Sequence, residues 1–351
     1  MLKRYVPERA GTFLCNTDFY RIIETEDNSE IEALFLKARN ACEKHYGKSV
    51  YFRGLIEFTN YCKNDCYYCG IRCSNKNLDR YRLSIDEILS CCRLGDKLGY
   101  KTFVLQGGED PWFSDERITK IVSMIRKEFP FHAITLSIGE RSRKGYEKFF
   151  NAGANRYLLR HETASEDHYA KLHPPGLSPV NRKNCLLQLK EIGYQVGAGF
   201  MVGTPFQTPE NLLADLDFLE ELQPHMVGIG PFIPQKDTPF GMYPAGNLQL
   251  CLKMIALVRI LLPKALIPAT TAMGTLVHNG RELALNAGAN IIMPNLSPKS
   301  ARSLYAIYDN KTSAGDEAPE IHSSLVDMVR NAGFIPDMGR GDALPVDPLP
   351  V

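Results

Sequence analysis

The chain has 351 residues, 44% of them hydrophobic, with 41 basic and 40 acidic side chains for a formal net charge of +1. That length and apolar share allow a large buried core and suit one α/β barrel with additions. The charge balance gives no electrostatic reason to expect nucleic acid or an anionic membrane as the main partner.

Lys3 and Arg4 are followed at once by Pro7-Glu8-Arg9, so no apolar signal core develops. The most apolar long stretch, Leu252–Leu262, is interrupted by Lys253 and Arg259 and is too short to span a bilayer. The expected location is cytoplasmic. Ten cysteines without an export signal fit a reducing compartment, where thiols bind metal or pack as small apolar groups.

In chain order, residues 1–49 read as a helical extension, clearest over Ile31–Tyr46. A repeating pattern follows, in which an amphipathic stretch ends at Gly and passes into a strand-forming run: Leu98-Gly99-Tyr100, Ala152-Gly153-Ala154, Ile192-Gly193-Tyr194 and Ala287-Gly288-Ala289. Gly just past a helix takes the left-handed conformation cheaply and turns the chain into a strand, the αβ joint of a parallel sheet. Eight strands are expected at Val50–Phe58, Lys101–Leu105, His132–Ile138, Arg156–Arg160, Gln195–Val202, Met226–Phe232, Leu266–Thr270 and Asn290–Pro294. Helices are expected between them at Ser84–Leu98, Asp115–Glu128, Pro179–Ile192, Pro209–Leu222, Gln249–Leu262 and Arg281–Ala287. Ser84 with Glu87 predicts a capping box, and Pro209 sits where a first helical residue belongs.

Eight alternating units predict an α/β fold, a (β/α)8 TIM-type barrel over residues 50–304. An open doubly wound sheet satisfies the same periodicity. Residues 305–351 read as an irregular extension packing on the barrel, with a polar loop at Lys311–Glu320, a short helix near Ser323–Asn331 and a Gly/Pro-rich tail from Gly339.

Cys62, Cys66 and Cys69 form C-x3-C-x2-C just after the first strand. A structural zinc site wants four ligands, commonly in paired C-x2-C knuckles or with two His, and no second pair lies nearby. Three close thiolates suit a 4Fe–4S cube with one iron open, Cys73 being the alternative fourth ligand. The other cysteines read as packing or surface thiols, and His161, His173 and His278, which have no metal spacing, read as structural groups or as supports for the residues that touch a ligand.

This spacing, with aromatic Tyr68 before the third cysteine, resembles the signature of the radical S-adenosylmethionine (SAM) superfamily. The resemblance implies an enzyme whose cluster chelates SAM through its open iron and, reduced by a low-potential electron donor, cleaves SAM to a 5′-deoxyadenosyl radical. It also implies SAM contacts. Gln106-Gly107-Gly108-Glu109 after strand two resembles the family's glycine–glutamate motif, Ser137 closes strand three, and Glu162 follows strand four within Arg160-His161-Glu162-Thr163. Arg182, at the start of a helix, suits a bidentate clamp on the SAM carboxylate. Each has a plain structural reading as well: turn glycines and a solvated helical Arg.

Longer stretches resemble the HydE family of FeFe-hydrogenase maturases: Phe58-Thr-Asn-Tyr-Cys62, Asn75-Lys-Asn-Leu-Asp-Arg-Tyr-Arg82, Tyr157-Leu-Leu-Arg-His-Glu-Thr-Ala164, Met226-Val-Gly-Ile-Gly-Pro-Phe-Ile-Pro234 and Ile267-Pro-Ala-Thr-Thr-Ala-Met-Gly-Thr275. The resemblance implies work with two partner maturases on an iron species carrying cysteine, CO and cyanide, delivered by the tyrosine-cleaving maturase. Some members carry cysteines for a second cluster; the matching loop here, Lys311–Glu320, has none, so one cluster is expected. Methylornithine synthase is the nearest rival. Its relatives hold an amino acid with charges at the ends of strands six and seven, where this chain has Gly228 and Ala272. Biotin synthase fits less well, because its second cluster needs cysteines on barrel strands. An iron–sulfur carrier without catalysis would need no SAM pocket. Arg160, Thr270 and Thr271 are expected to face substrate, a set suited to an anionic or metal-bound ligand.

Overall fold

The computed structural model describes residues 16–311 and 318–345. Sequence readings on residues 1–15, Cys15 included, on the middle of the Lys311–Glu320 loop and on residues 346–351 lie outside them.

The apolar runs form parallel strands buried on both faces, as expected when helices cover a sheet. These are β1 (Ser49–Phe52), β2 (Gly54–Thr59), β3 (Thr102–Gly107), β4 (Ala133–Ser137), β5 (Arg156–Leu158), β6 (Gln195–Val202), β7 (Met226–Pro231) and β8 (Ile291–Ile292). β1 and β2 are one stave interrupted at Arg53. β2 through β7 pair in sequence order, all parallel.

The ladder then returns to its start. The Val227 amide donates to the Leu266 carbonyl (2.9 Å), Asn290 to Ile267 (2.8 Å), Tyr51 to Asn290 (3.0 Å) and Leu55 to Pro294 (2.8 Å). Eight staves therefore close into a (β/α)8 barrel, and the open-sheet alternative falls. The closing staves are sparse. Residues 266–268 make only single bridges, Met226 to Leu266 and Pro268 to Ile291, since Pro268 has no amide to give the ladder.

Helices follow the strands as the caps dictate. Ser84 and Glu87 form a reciprocal capping box, and Pro209 opens Pro209–Leu222. Helices beyond the sequence expectation include Arg143–Asn151, Glu166–Leu172 and the short Lys299–Arg302. Thr270 is the N-cap of another, Thr271–Leu276, rather than the end of a strand. The expected strand Arg156–Arg160 stops at Leu158.

The C-terminal segment seals the barrel floor. Helix Ala318–Asn331 leads to β9 (Ile335–Asp337), which pairs with β1 at Ser49 and Tyr51. The chain then crosses the N-terminal ends of the strands. Buried Arg156 donates to the Arg340 carbonyl (2.8 Å) and to Asp342 Oδ1 (2.7 Å), and Arg53 donates to the Gly341 carbonyl (3.0 Å). Ala343 and Leu344 pack onto Leu158, Met226, Leu266 and Ile291, stoppering the lumen from below.

Candidate functional site

The cysteine loop leaves the C-terminal end of β2 and is strapped by its own polar side chains. Arg80 donates to four carbonyls, those of Asn60 (2.5 Å), Ile71 (2.8 Å), Arg72 (2.6 Å) and Asn75 (3.1 Å). Arg72 pairs bidentately with Asp65 (2.6 and 2.5 Å), and Asp110 joins Arg82 (2.6 Å) to Thr59 (2.9 Å). Asn60, buried, donates to Asp79 and Leu304. Sequence reasoning noticed the Asn75–Arg82 stretch without seeing that it is the loop's frame.

Cys62, Cys66 and Cys69 are partly buried and line one cavity of about 340 Å³, whereas Cys73 is exposed and outside the lining. Burial pushes the Cys69 thiol up to about 12, raises Cys62 and lifts Cys66 well above its ordinary value. As free thiols they stay protonated; a bound metal centre supplies the positive charge that releases the protons. Among the described residues no three His, Cys, Asp or Glu side chains converge on a single ion position. A cube differs from a lone zinc ion in this respect, because each thiolate takes its own iron.

Every other site residue selected from the sequence lines the same cavity: Tyr68, Gln106, Gly107, Gly108, Glu109, Ser137, Glu162 and Arg182, with Arg160, Thr270 and Thr271. Gly108 is required by close approach, since a Cβ there would lie 2.2 Å from the Tyr61 carbonyl oxygen and 2.7 Å from Cys62 Cβ. Glu109 lies over Gly139, which has φ +75°, and accepts from the Glu140 amide (3.0 Å). Arg182 is buried, not solvated. Its Nε is 2.8 Å from Glu140 Oε1 without hydrogen-bond alignment, and its Nη2 is 3.8 Å from Glu109 Oε1. Burial opposes that charge, but Tyr169, Glu140, Glu109 and Glu162 together hold its pKa above the ordinary value.

Glu162 takes the left-handed conformation, φ +66°, which costs a non-glycine residue roughly 1–3 kcal/mol. The strand breaks there and rejoins β6, the Glu162 amide donating to the Gly199 carbonyl (3.0 Å). A fully buried His161–Asp215 contact (3.3 Å) and a bond from the Ala164 amide to Asp215 brace the turn. The turn aims Glu162 at Arg160, Oε2 to Nη2 3.2 Å, again without alignment. Thus Glu162 Oε2, Arg160 Nε and Nη2, Arg182 Nε and Thr270 Oγ1 are buried with no hydrogen-bond partner.

The sequence marked His173 as a structural or supporting group without its partners, and Glu57 escaped it. His173 donates Nδ1–H to the Tyr169 carbonyl (3.0 Å) and accepts at Nε2 from the Tyr68 hydroxyl (3.1 Å), fixing the neutral tautomer and the ring beside Cys69. Glu57, at the lumen wall, contacts Lys311 and accepts from Asn295 (2.7 Å). The lumen therefore does contain carboxylates, one neutralised by Lys311 and one facing Arg160.

A closed parallel barrel with three thiols at its C-terminal mouth matches a known sequence profile. Residues 56–219 fit that of the Radical SAM superfamily. Over 319 residues the chain is 52% identical to the FeFe-hydrogenase maturase subunit HydE of Thermotoga maritima, covering 91% of each. It is 32% identical to the 3-methylornithine synthase of Methanosarcina acetivorans over 85% of this chain and 84% of that one. The crystal structure of methylornithine synthase superposes with a TM-score of 0.84 at 30% identity, over 93% and 95% of the two chains. The chain belongs to the HydE family of radical SAM enzymes. Membership makes it an enzyme that uses SAM and implies a 4Fe–4S cluster. Among the described residues no helix is long and apolar enough to cross a membrane.

Proposed function

We propose that the chain is a hydrogenase maturase that binds one 4Fe–4S cluster through Cys62, Cys66 and Cys69, cleaves SAM reductively and acts on a cysteine-bound iron species carrying CO and cyanide. The observation that carries the SAM site is the set of orphaned buried atoms along one wall. Glu162 Oε2 suits a ribose hydroxyl or an ammonium, and Arg182 suits a carboxylate. The cluster and SAM, when bound, supply the electron and the 5′-deoxyadenosyl radical.

The chain's own residues bind and enclose. Gly107 and Gly108 let backbone approach the cysteine loop, Gln106, Glu109 and Ser137 line the SAM side, and Tyr68 walls it under His173's hold. Arg160, Thr270 and Thr271 face the substrate side. The unmet donors of Arg160 and Thr270 suit an anionic, metal-bound ligand with carboxylate and cyanide acceptors. Gly228 and Ala272 line the same cavity and supply no charge, and the lumen carboxylates Glu57 and Glu162 already face Lys311 and Arg160, which favours this reading over lysine mutation. Partner maturases and a low-potential electron donor complete the system.

The test is 5′-deoxyadenosine yield. Cysteine-bound iron carbonyl cyanide should raise it and lysine should not. Arg160→Ala should lose the stimulation while substrate-independent SAM cleavage stays near its original rate. Lysine-driven turnover to methylornithine would overturn the proposal.

A further inference from the structure

One side of the cavity is closed by a segment from beyond the barrel. Residues 304–311 cross the mouth between the cysteine loop and the loop after β7. Asn60 donates to the Leu304 carbonyl (2.8 Å), the Gly70 amide to the Ile307 carbonyl (2.9 Å), and the Asp309 amide to the Pro234 carbonyl (3.1 Å). The crossing is close, since a Cβ on Gly70 would stand 2.0 Å from the Ala306 carbonyl oxygen. Tyr305, Ile307, Tyr308 and Lys311 line the cavity from this segment.

Lys311 reaches back from the end of the segment to Glu57 on β2. Its Nζ contacts Glu57 Oε1, lies 3.3 Å from the Tyr305 carbonyl oxygen and sits 4.7 Å from the Tyr305 ring centroid. Glu57 Oε2 accepts from Asn295 (2.7 Å), so both carboxylate oxygens are met. The Glu57 side chain is 1% exposed and that of Lys311 11%. Leu55, Ile56 and Phe58 flank Glu57 with buried apolar side chains. A buried ion pair gives such a wall little net stability over apolar side chains of the same size.

The pair decides the sign of charge in the cavity. The ionisable lining, cysteines and tyrosines aside, is Glu57, Glu109 and Glu162 against Arg160, Arg182 and Lys311. Outside the lining, Lys63 faces Glu109 (3.4 Å) and Glu140 faces Arg182 (2.8 Å), one charge of each sign. The balance therefore rests on Lys311, the one cation of the six that the barrel does not supply. Without it the lining is net negative and Glu57 stands uncovered in a wall shielded from water, where a single charge acts strongly on a ligand.

We infer that Lys311 is a specificity-determining residue: by covering Glu57 it keeps the cavity receptive to an anionic ligand and denies an ammonium group its counter-charge. The inference rests on the anionic ligand proposed above. Selection of this kind works by leaving the wrong guest unpaired as much as by holding the right one.

The reconstituted full-length enzyme is assayed for 5′-deoxyadenosine against rising cysteine-bound iron carbonyl cyanide. Lys311→Met should raise the half-saturating concentration about tenfold or more, the scale of one uncovered charge at a binding site. Glu57→Gln keeps an acceptor for Asn295 and frees the ammonium, so it should lower that concentration by about threefold or more. The double variant removes both charges together and should return to within about threefold of wild type. A pair that only holds the segment in place would weaken both single variants alike. The same proteins are titrated calorimetrically with n-butylamine, an ammonium without a carboxylate. Lys311→Met should bind it about tenfold tighter than wild type. A half-saturating concentration unaltered in Lys311→Met or raised in Glu57→Gln overturns the inference, as does equal butylamine affinity in Lys311→Met and wild type. If Lys311→Met does not fold, the direction of the Glu57→Gln change decides. A wild type that the iron compound fails to stimulate would instead sink the proposed function, and the butylamine titration would still decide the role of Lys311.

Discussion

Acidification should unmask His173. The ring is buried and stacked on Tyr169, with centroids 3.9 Å apart, and burial lowers its pKa from 6.5 to about 4. Between those values the unfolded chain binds more protons than the folded one, so stability is lost as pH falls through that window. At pH 5 the loss relative to pH 7.5 is about 2 kcal/mol, from 1.36 kcal/mol per pH unit over the interval below 6.5. His173→Phe keeps the stack and removes the titrating group. At pH 7.5 the variant should be less stable by about 1–3 kcal/mol, because the Tyr68 hydroxyl and the Tyr169 carbonyl lose their partner. At pH 5 that gap should shrink by about 2 kcal/mol. Urea midpoints of the cluster-free chain in reducing buffer, for both proteins at both pH values, give the difference free of the other histidines. A gap equal at pH 5 and pH 7.5 would refute the reasoning.

Three further outcomes follow from the geometry. Replacing Cys62, Cys66 or Cys69 with Ala should abolish binding of about four irons per chain, while Cys73→Ala should keep it; iron analysis after anaerobic reconstitution decides. Gly108→Ala forces a Cβ within 2.2 Å of the Tyr61 carbonyl and should displace the cysteine loop, seen as lost iron with the far-UV spectrum intact. Arg156→Met should cost about 1.5–3 kcal/mol in urea unfolding and speed hydrogen exchange over residues 335–345, whose carbonyls and Asp342 it holds.

Much of the barrel was legible because each unit carried its own signal. Gln195–Val202 and Pro179–Ile192 run as read, the first from its apolar run, the second from Pro at its start and Gly193 at its end. Signals of mixed meaning misled. Thr270 is a good strand residue and also a common N-cap type, and it stands at the N-cap position with its hydroxyl turned to the cavity and no cap bond made. Arg143–Asn151 hides behind Gly145 and a dense run of charge, though Ser142 announces it as N-cap. β9, with Pro336 at its centre, carries no alternation to read. In the site, sequence spacing marked the cysteines. The hold of His173 on Tyr68 and of Lys311 on Glu57 joins residues 105 and 254 positions apart, which no local pattern encodes.

The stoppered floor turns the barrel into a blind vessel whose traffic uses one mouth. Arg160 lies deep in it, its Cδ 3.9 Å from where a Cβ on Gly228 would stand, three residues below the strand's end at Pro231 and so about 10 Å down the wall. The cysteines sit beyond Thr59, at the rim. On the proposed assignment a ligand on Arg160 would sit deeper than SAM held by residues nearer the rim, so it would have to enter first and leave last, an order of loading set by depth.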